Sequence, residues 1–552
     1  MTLKLTFHGA AGCVTGFCAR LETDQAVLLI DCGMFQGPKT LKALNYDPLP
    51  FDPHKVDAVL LTHAHIDHSG LLPKLMKAGY EGPIYATAGT RDLCAVMLAD
   101  AGGIQESEVR QLNRRNERRG RDAVEPIYTA EDAEPTLALF RKVKLGDPVA
   151  VAPGVTAIYW EAGHILGAAS IELRVDTQDG PVSLLFSGDL GPGGRDYSAD
   201  PEGPSGVDYL ILESTYGDRE RTDATPDDRR RQLAEVLNQA QAAGGPLLIP
   251  AFAVERSQEL LADILTLMRD GQVPDCDVFL DSPLAIEATE VFRQRGWIRS
   301  AGRNPFEDLH ASEQLKFLRD PWESDTLDRL KGWHIILAAS GMCDAGRVRK
   351  HLKRLLWNRK ATVLLAGYQA VGTLGRILAE GAERVRIQGE DIQVRAAIRT
   401  LDVYSGHADA RGLAAWAKAR GPVRGGVFLA HGEPPGLEGL KARLAGEGFP
   451  ESRLFIPVMD QTFRLTAKGA EASEGPRRIA AGAAARPDWH NARAALLLAL
   501  DARLEGLDDA ARTALLKQLA RSLADTGGAS ASTPVAPAQA SGPVTADSPG
   551  SA

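Results

Sequence analysis

Thr62-His63-Ala64-His65-Ile66-Asp67-His68-Ser69-Gly70 follows directly on the apolar run Ala58 to Leu61. The run reads as a buried strand, and the segment after it sets three imidazoles and a carboxylate within six residues, His63 to His68. Alternate residues of an extended segment point the same way, so His63 and His65 can share one metal ion while Asp67 and His68, beyond the turn, address a second. Imidazole and carboxylate without thiolate favour zinc, with manganese and iron as the other fits. The chain has only 12 histidines in 552 residues, so this density argues against a merely solvated loop.

Polar residues gather in the same way past other strands. Val27 to Ile30 runs into Asp31-Cys32-Gly33, and Leu184 to Phe186 runs into Ser187-Gly188-Asp189. Loops just past strand ends on a rigid sheet usually carry chemistry. A site this dense needs remote ligands, and the candidates are His164, in Glu161-Ala162-Gly163-His164-Ile165-Leu166-Gly167, and Asp189. Each follows a glycine that lets the backbone approach closely.

Leu3, Leu5 and Phe7 alternate with polar residues as in a strand, and a glycine turn follows at Gly9, Gly12 and Gly16. Met1 to Thr6 therefore lacks the core of a signal peptide, and the longest apolar run, Ala494 to Leu500, is too short for a membrane helix. A cytoplasmic protein with no membrane partner is expected. Between 91 and 143 the pattern is helical and charged, and strands resume near Val155 to Tyr159. From about 206 strand and helix alternate (Tyr209 to Leu212, Asp228 to Ala243, Leu247 to Ile249, Val278 to Leu280, Ile335 to Ala338, Val363 to Ala366), as in a mostly parallel sheet. Past 400, Ser405-Gly406-His407 and Ala430-His431-Gly432 again place histidines at expected strand ends. The reading is thus a first domain over 1–205, an insertion over 206–398, and a return segment over 399–465. Beyond them come a helical extension over 466–525 and a disordered tail over 526–552, which holds no aromatic residue and one charge, Asp547. In the extension, Leu515, Leu516, Leu519 and Leu523 recur at helix spacing, a pattern more typical of packing against the body than of a partner surface.

Hydrophobic residues make up 44% and charged residues 24%, values of an ordinary globular chain. Six scattered cysteines with no C-x-x-C pair argue against a disulfide framework or thiolate zinc site and read as small buried thiols. A net charge of -9 argues against non-specific adhesion to nucleic acid by the whole surface but leaves room for a local basic groove. Candidate groove residues are Arg110, Arg114, Arg115, Arg118, Arg119 and Arg121, then Arg347, Arg349, Lys350, Lys353, Arg354, Arg359 and Lys360, although such runs on helices are often solvated faces.

The H-x-H-x-D-H loop, the downstream His164, Asp189 and the preceding strand-end Asp31 together resemble the metallo-β-lactamase superfamily. Leu212-Glu213-Ser214-Thr215-Tyr216-Gly217, Tyr404-Ser405-Gly406-His407-Ala408-Asp409 and Leu429-Ala430-His431-Gly432-Glu433 are similar to the ordered motifs A, B and C of its β-CASP branch, the nucleases of nucleic-acid processing. Ala339-Ser340-Gly341-Met342, Ala366-Gly367-Tyr368-Gln369 and Gly372-Thr373-Leu374 look like the inserted domain of the cleavage and polyadenylation endonuclease and its prokaryotic relatives. The resemblance spans residues 1 to about 465. It implies an α/β fold, an αββα sandwich with an inserted β-CASP domain, and two zinc ions. His63, His65 and His164 would hold one ion, Asp67, His68 and His431 the other, with Asp189 bridging and Asp31 supporting the histidine loop from behind. Glu213 would keep His407 cationic so that it acts as general acid, and Ser405 would contact RNA phosphate. A histidine in motif C marks the RNA-directed members.

Two metals suit this chemistry because binding lowers the pKa of water from 15.7 to about 7, making a bridging hydroxide available at neutral pH. The expected activity is hydrolysis of single-stranded RNA to 5′-phosphate and 3′-hydroxyl ends, internal cutting being favoured over 5′ exonuclease action, and the resemblance leaves room for a homodimer. A thioesterase or lactonase is the rival enzyme class, and motifs A to C speak against it. An inactive RNA-binding scaffold ranks last, because all seven expected ligands are present.

Overall fold

Successive side chains of a strand point to opposite faces, so the alternation at Leu3–Phe7 and the apolar run Val27–Ile30 each offer a sheet face to a core. The computed structural model describes residues 3–525 except 179, 196–197, 222–224, 296–308, 310–311, 467–468, 474 and 481–488; the tail expected over 526–552 lies outside the described residues. The first sheet has eight strands, in the order Gly469–Ser473, Gln461–Thr466, Leu3–Phe7, Ala19–Glu22, Val27–Ile30, Ala58–Leu60, Ile84–Thr87 and Phe140–Val143. The second has seven: Leu454–Phe455, Gly426–Ala430, Tyr209–Glu213, Gly180–Phe186, Ala169–Thr177, Val155–Glu161 and Val149–Ala152. Leu5, Phe7, Leu28, Ile30 and Leu60 of the first meet Tyr159, Ile171, Leu173, Leu184, Phe186 and Phe428 of the second in one buried cluster. Helices cover the outer faces, completing an αββα sandwich. The helical stretch after residue 91 resolves into Ala88–Glu117 and Ala130–Ala138, the latter begun by a capping box between Thr129 and Asp132.

The inserted domain is a six-stranded sheet in the order Leu315–Phe317, Val278–Leu280, Ile335–Ala338, Leu247–Pro250, Thr362–Leu365, Ala397–Thr400, parallel throughout. Helices such as Pro226–Ala243, Arg256–Arg269 and Val348–Leu355 connect its strands, as parallel pairing requires.

Three sequence expectations change. Tyr209–Glu213, read as the start of the insertion, pairs in parallel with Gly180–Phe186 and Gly426–Ala430 and so belongs to the sandwich. A strand buried on both faces has no alternation, and its pairing partners are remote in sequence, so the run reads alike in either sheet. Ser405-Gly406-His407 follows the 3-10 turn Asp402–Tyr404 rather than a strand, whereas His431 does follow one directly. The helical extension read over 466–525 begins as a strand, Gly469–Ser473, paired antiparallel with Gln461–Thr466 at the edge of the first sheet. The described residues 495–525 belong to a separate compact unit. Within that unit Arg512 closes the turn between Trp489–Glu505 and Asp509–Asp525, donating from Nε to the Leu504 carbonyl at 2.8 Å. Among the described residues no helix is long and apolar enough to cross a membrane.

Candidate metal centre

Parallel strands bring their carboxyl ends to one edge, and that is where the chemistry collects. Val27–Ile30 and Ala58–Leu60 deliver Asp31 and the histidine loop; Gly180–Phe186, Tyr209–Glu213 and Gly426–Ala430 deliver Asp189, Glu213 and His431. Two of these residues leave their strands in the left-handed region, Asp31 at φ 61° and His431 at φ 51°, a cost of about 1–3 kcal/mol each that the surroundings must hold. The Asp31 carboxylate accepts from the Thr62 amide at 2.7 Å and the Thr62 hydroxyl at 2.8 Å, and the His431 amide donates to the Ala10 carbonyl at 2.7 Å. The histidine loop is pinned by Phe17 N to Asp67 O and Cys32 N to His68 O, both at 2.8 Å. Gly33 sits so close beneath it that a Cβ there would lie 1.7 Å from the Asp67 carbonyl oxygen.

Nε2 of His63 and Nε2 of His164 stand 3.2 and 3.1 Å from Nδ1 of His65, and Oδ2 of Asp189 lies 3.4 Å from His63 and 3.5 Å from His164. The other oxygen of the same carboxylate, Oδ1, faces a second group: His68 Nε2 at 3.4 Å and His431 Nδ1 at 3.6 Å, with Asp67 Oδ2 3.7 Å from His431 Nε2. Asp31 takes Nδ1 of His68 at 2.7 Å, which aims Nε2 at Asp189. Phe17 lies flat against His68, ring centroids 5.5 Å apart and 14° from parallel. All seven residues expected as ligands are thus brought together as two groups around one carboxylate, with Asp31 behind.

This donor set fits metal ions. Burial, then the charge of His68, lowers His63 to about 3, and burial lowers His65 to about 4, so both imidazoles are neutral and present lone pairs. Burial works to raise Asp189, but the imidazoles of His431 and His68 outweigh it and hold the carboxyl well below its usual range. Oδ1 of Asp189 is buried with no hydrogen-bond partner. The neutral nitrogens of His63 and His65 and the unpartnered carboxylate, with donor atoms in each group within 4.8 Å of one another, suit a cation.

His407 stands outside these two groups, in a third with Asp189 and Glu213 whose atoms also lie within 4.8 Å of one another. Its Nδ1 is 3.1 Å from Oε1 of Glu213, which also accepts from the Leu190 amide at 2.8 Å. Burial works against its charged form, yet Glu213 and then Asp189 outweigh burial and raise its pKa. Two arginines that composition alone did not single out hold the loop carrying it. Arg195 donates to the Ser405 carbonyl and Arg221 to the His407 carbonyl, while Arg195 is anchored on Glu259 at 2.7 and 2.8 Å.

A cleft of about 530 Å³ between sandwich and insertion is lined by His65, Asp67, His164, Asp189, His407 and His431. Ser405 and Arg347 also line it. Arg347 is engaged with Asp281 at 2.6 Å, Arg349 with Glu108 at 2.8 Å and Lys350 with Asp325, so acidic partners already meet these three candidate RNA contacts.

The sandwich with its edge-on cluster of histidines and aspartates defines a metal-dependent hydrolase of the metallo-β-lactamase fold. Comparison with known families agrees: the Metallo-beta-lactamase superfamily matches residues 11–241, the Beta-Casp domain 257–378, and the Zn-dependent metallo-hydrolase RNA specificity domain 391–457. Ribonuclease TTHA0252 of Thermus thermophilus is 35% identical over 81% of this chain and 97% of its own length. Transcription termination factor FttA of Methanosarcina mazei is 30% identical over 78% of this chain and 67% of its own, and an RNase J-like protein of Methanocaldococcus jannaschii is 30% identical over 78% and 92%. The chain belongs to the β-CASP metallo-β-lactamase family of ribonucleases.

Proposed function

We propose that this chain is a two-zinc ribonuclease that hydrolyses phosphodiester bonds of single-stranded RNA, cutting internally rather than only from the 5′ end, in the cytoplasm, and able to pair as a homodimer. The observation that carries the reading is the Asp189 carboxylate, whose two oxygens face two separate donor groups beside His407. Seven ligands exceed what one tetrahedral ion uses, and imidazole with carboxylate suits zinc. Bound ions would make hydroxide available at neutral pH and cancel charge on the phosphoryl oxygens. His63, His65 and His164 would hold one and Asp67, His68 and His431 the other, with Asp189 shared.

The protein's own groups handle the proton and the substrate. Glu213 keeps a proton on His407, and His407 gives it to the departing ribose oxygen, leaving 3′-hydroxyl and 5′-phosphate ends. Ser405, with its carbonyl held by Arg195 and its side chain at the cleft wall, orients the RNA backbone. Relatives named as ribonucleases and the match to an RNA specificity domain support RNA over a thioester or lactone.

The test is incubation of the metal-loaded protein with 5′-end-labelled, internally labelled and circular single-stranded RNA, alongside elemental analysis and the mass of the particle in solution. Cleavage of the circle and two zinc ions per chain are expected. Preference for double-stranded DNA, or thioester hydrolysis without RNA cleavage, would overturn the substrate; one ion per chain, unchanged by Asp67→Ala, would overturn the two-metal arrangement.

A further inference from the structure

The segment Phe252-Ala253-Val254-Glu255-Arg256 enters the helix Arg256–Arg269 along the wall of the same cleft, and no step above uses it. Its backbone is strained. Glu255 has φ 64° and ψ -54°, and the Arg256 amide turns back to the Val254 carbonyl at 2.9 Å, a tight three-residue turn that non-glycine residues rarely adopt. Strain of this kind persists where the surroundings over-determine it, and such places cluster at ligand clamps.

What the turn positions is a guanidinium. Arg256 is 6% exposed, Nη1 is anchored on Glu259 at 2.6 Å, and Nε is buried with no hydrogen-bond partner. A Cβ built on Gly406 would lie 3.0 Å from Cε1 of His164 and 3.2 Å from Nη2 of Arg256. One glycine therefore separates the guanidinium from an imidazole of the metal-binding cluster.

Charge is out of balance around it. Arg195 and Arg256 share the single carboxylate of Glu259, which also meets Arg229; Arg229 has Asp263 as a further partner at 2.9 Å. Glu255 is adjacent, but burial and the charge of Glu259 push its carboxyl up to about 8, so at neutral pH it supplies little negative charge. A buried cation without a full counter-charge is costly, and an anion arriving in the cleft removes that cost.

We propose that Arg256 is a phosphate subsite of the cleft, binding through Nη2 the backbone phosphate next to the one being cleaved. The proposal rests on the reading of the chain as a ribonuclease and adds a contact that reading does not contain. A guanidinium N–H suits a phosphate diester, and its anchoring on Glu259 removes most of the ordering cost on binding.

The experiment is a scan of a single-stranded oligoribonucleotide with one defined cleavage site, replacing one phosphate at a time by an uncharged methylphosphonate. Affinity, by fluorescence anisotropy, and cleavage rate are measured for wild type and for Arg256→Lys, with thermal melting of both. In wild type, one position flanking the cleaved bond is expected to cost on the order of tenfold in affinity, the size of a hydrogen bond to a charged group. In Arg256→Lys that position-specific penalty should shrink while penalties elsewhere stay. A purely structural role for Arg256 would lower binding to every oligonucleotide alike and leave the penalty profile unchanged, which overturns the proposal. A flat wild-type profile overturns it without reference to any variant. Failure of wild type to bind RNA at all overturns the ribonuclease reading and this subsite with it, an outcome distinct from RNA binding with a flat profile.

Discussion

His407 and His431 are alike as letters and unlike in place. His431 Nε2 lies 3.2 Å from His68 Nε2 and 3.7 Å from Asp67, inside the second donor group, whereas His407 leans on Glu213. His431→Ala is therefore expected to lower metal content by elemental analysis, and His407→Ala to keep it while the rate falls by about 10² to 10⁴-fold. A substrate with a better leaving group, a phosphorothiolate at the cleaved bond, should partly rescue His407→Ala and leave His431→Ala as it was. Equal rescue of both, or metal loss in the first, contradicts the assignment. Glu255 supports a pH prediction. Its folded-state pKa is raised from 4.5 to about 8, so the folded chain holds a proton there that the unfolded chain has lost. Stability from that neutral group is present below the unfolded value and is lost as pH rises through 8. Glu255→Gln should gain on wild type in urea midpoint between pH 5 and pH 9; a constant difference across that span would mean the carboxyl is not held neutral.

At the scale of elements, the histidine loop works because a neighbouring loop presses against it from below. Gly33→Ala would drive a Cβ into the Asp67 carbonyl and lift Asp67 and His68 out of line. Displacements of about 1 Å at a reacting centre cost on the order of 10²-fold in rate, and weaker metal retention on dialysis should accompany it. Gly103, inside the helix Ala88–Glu117, has nothing within 4 Å of a built Cβ, so Gly103→Ala should raise stability by about 1 kcal/mol with activity unchanged. If both substitutions behave alike, close approach is not what Gly33 provides. The helix Ala130–Ala138 depends on its cap: Thr129 Oγ1 accepts from Asp132 N at 3.2 Å and Asp132 Oδ2 from Thr129 N at 2.7 Å. Thr129→Ala should cost about 1 kcal/mol, read as a lower melting temperature.

The whole molecule carries a net charge of -9, so attraction for RNA has to come from local basic groups, such as those at the cleft, rather than from the overall charge. Sandwich and insertion are tied across it by Lys42 to Asp344 at 3.2 Å, Arg349 to Glu108 at 2.8 Å and Glu433 to the Val371 amide at 3.0 Å. Binding of single-stranded RNA should weaken steeply with salt, with a log–log slope of about -0.7 for each phosphate neutralised. A slope near zero in an anisotropy titration would show that phosphate neutralisation does not drive binding.

Much of the candidate site was legible in the sequence because its residues fall in short ordered motifs, most of them next to strand ends. His63, His65, Asp67 and His68 sit within one loop, and His164, Asp189, Glu213, His407 and His431 lie in motifs whose order along the chain marks the family. Apolar runs likewise revealed the strands. They did not reveal sheet membership: Tyr209–Glu213 joined the sandwich because hydrogen bonding to Gly426–Ala430 closes a sheet between segments far apart in the chain. Arg195, Arg221 and Arg256 carry no local signature, since an arginine's role depends on which carboxylate or carbonyl the folded chain sets against it. The same holds for Arg349 and Lys350, basic in sequence but facing Glu108 and Asp325 in space. The candidate cluster was written locally in residue type and motif order; counter-charge, burial and pairing arise only when distant segments meet, and those the tertiary structure alone decided.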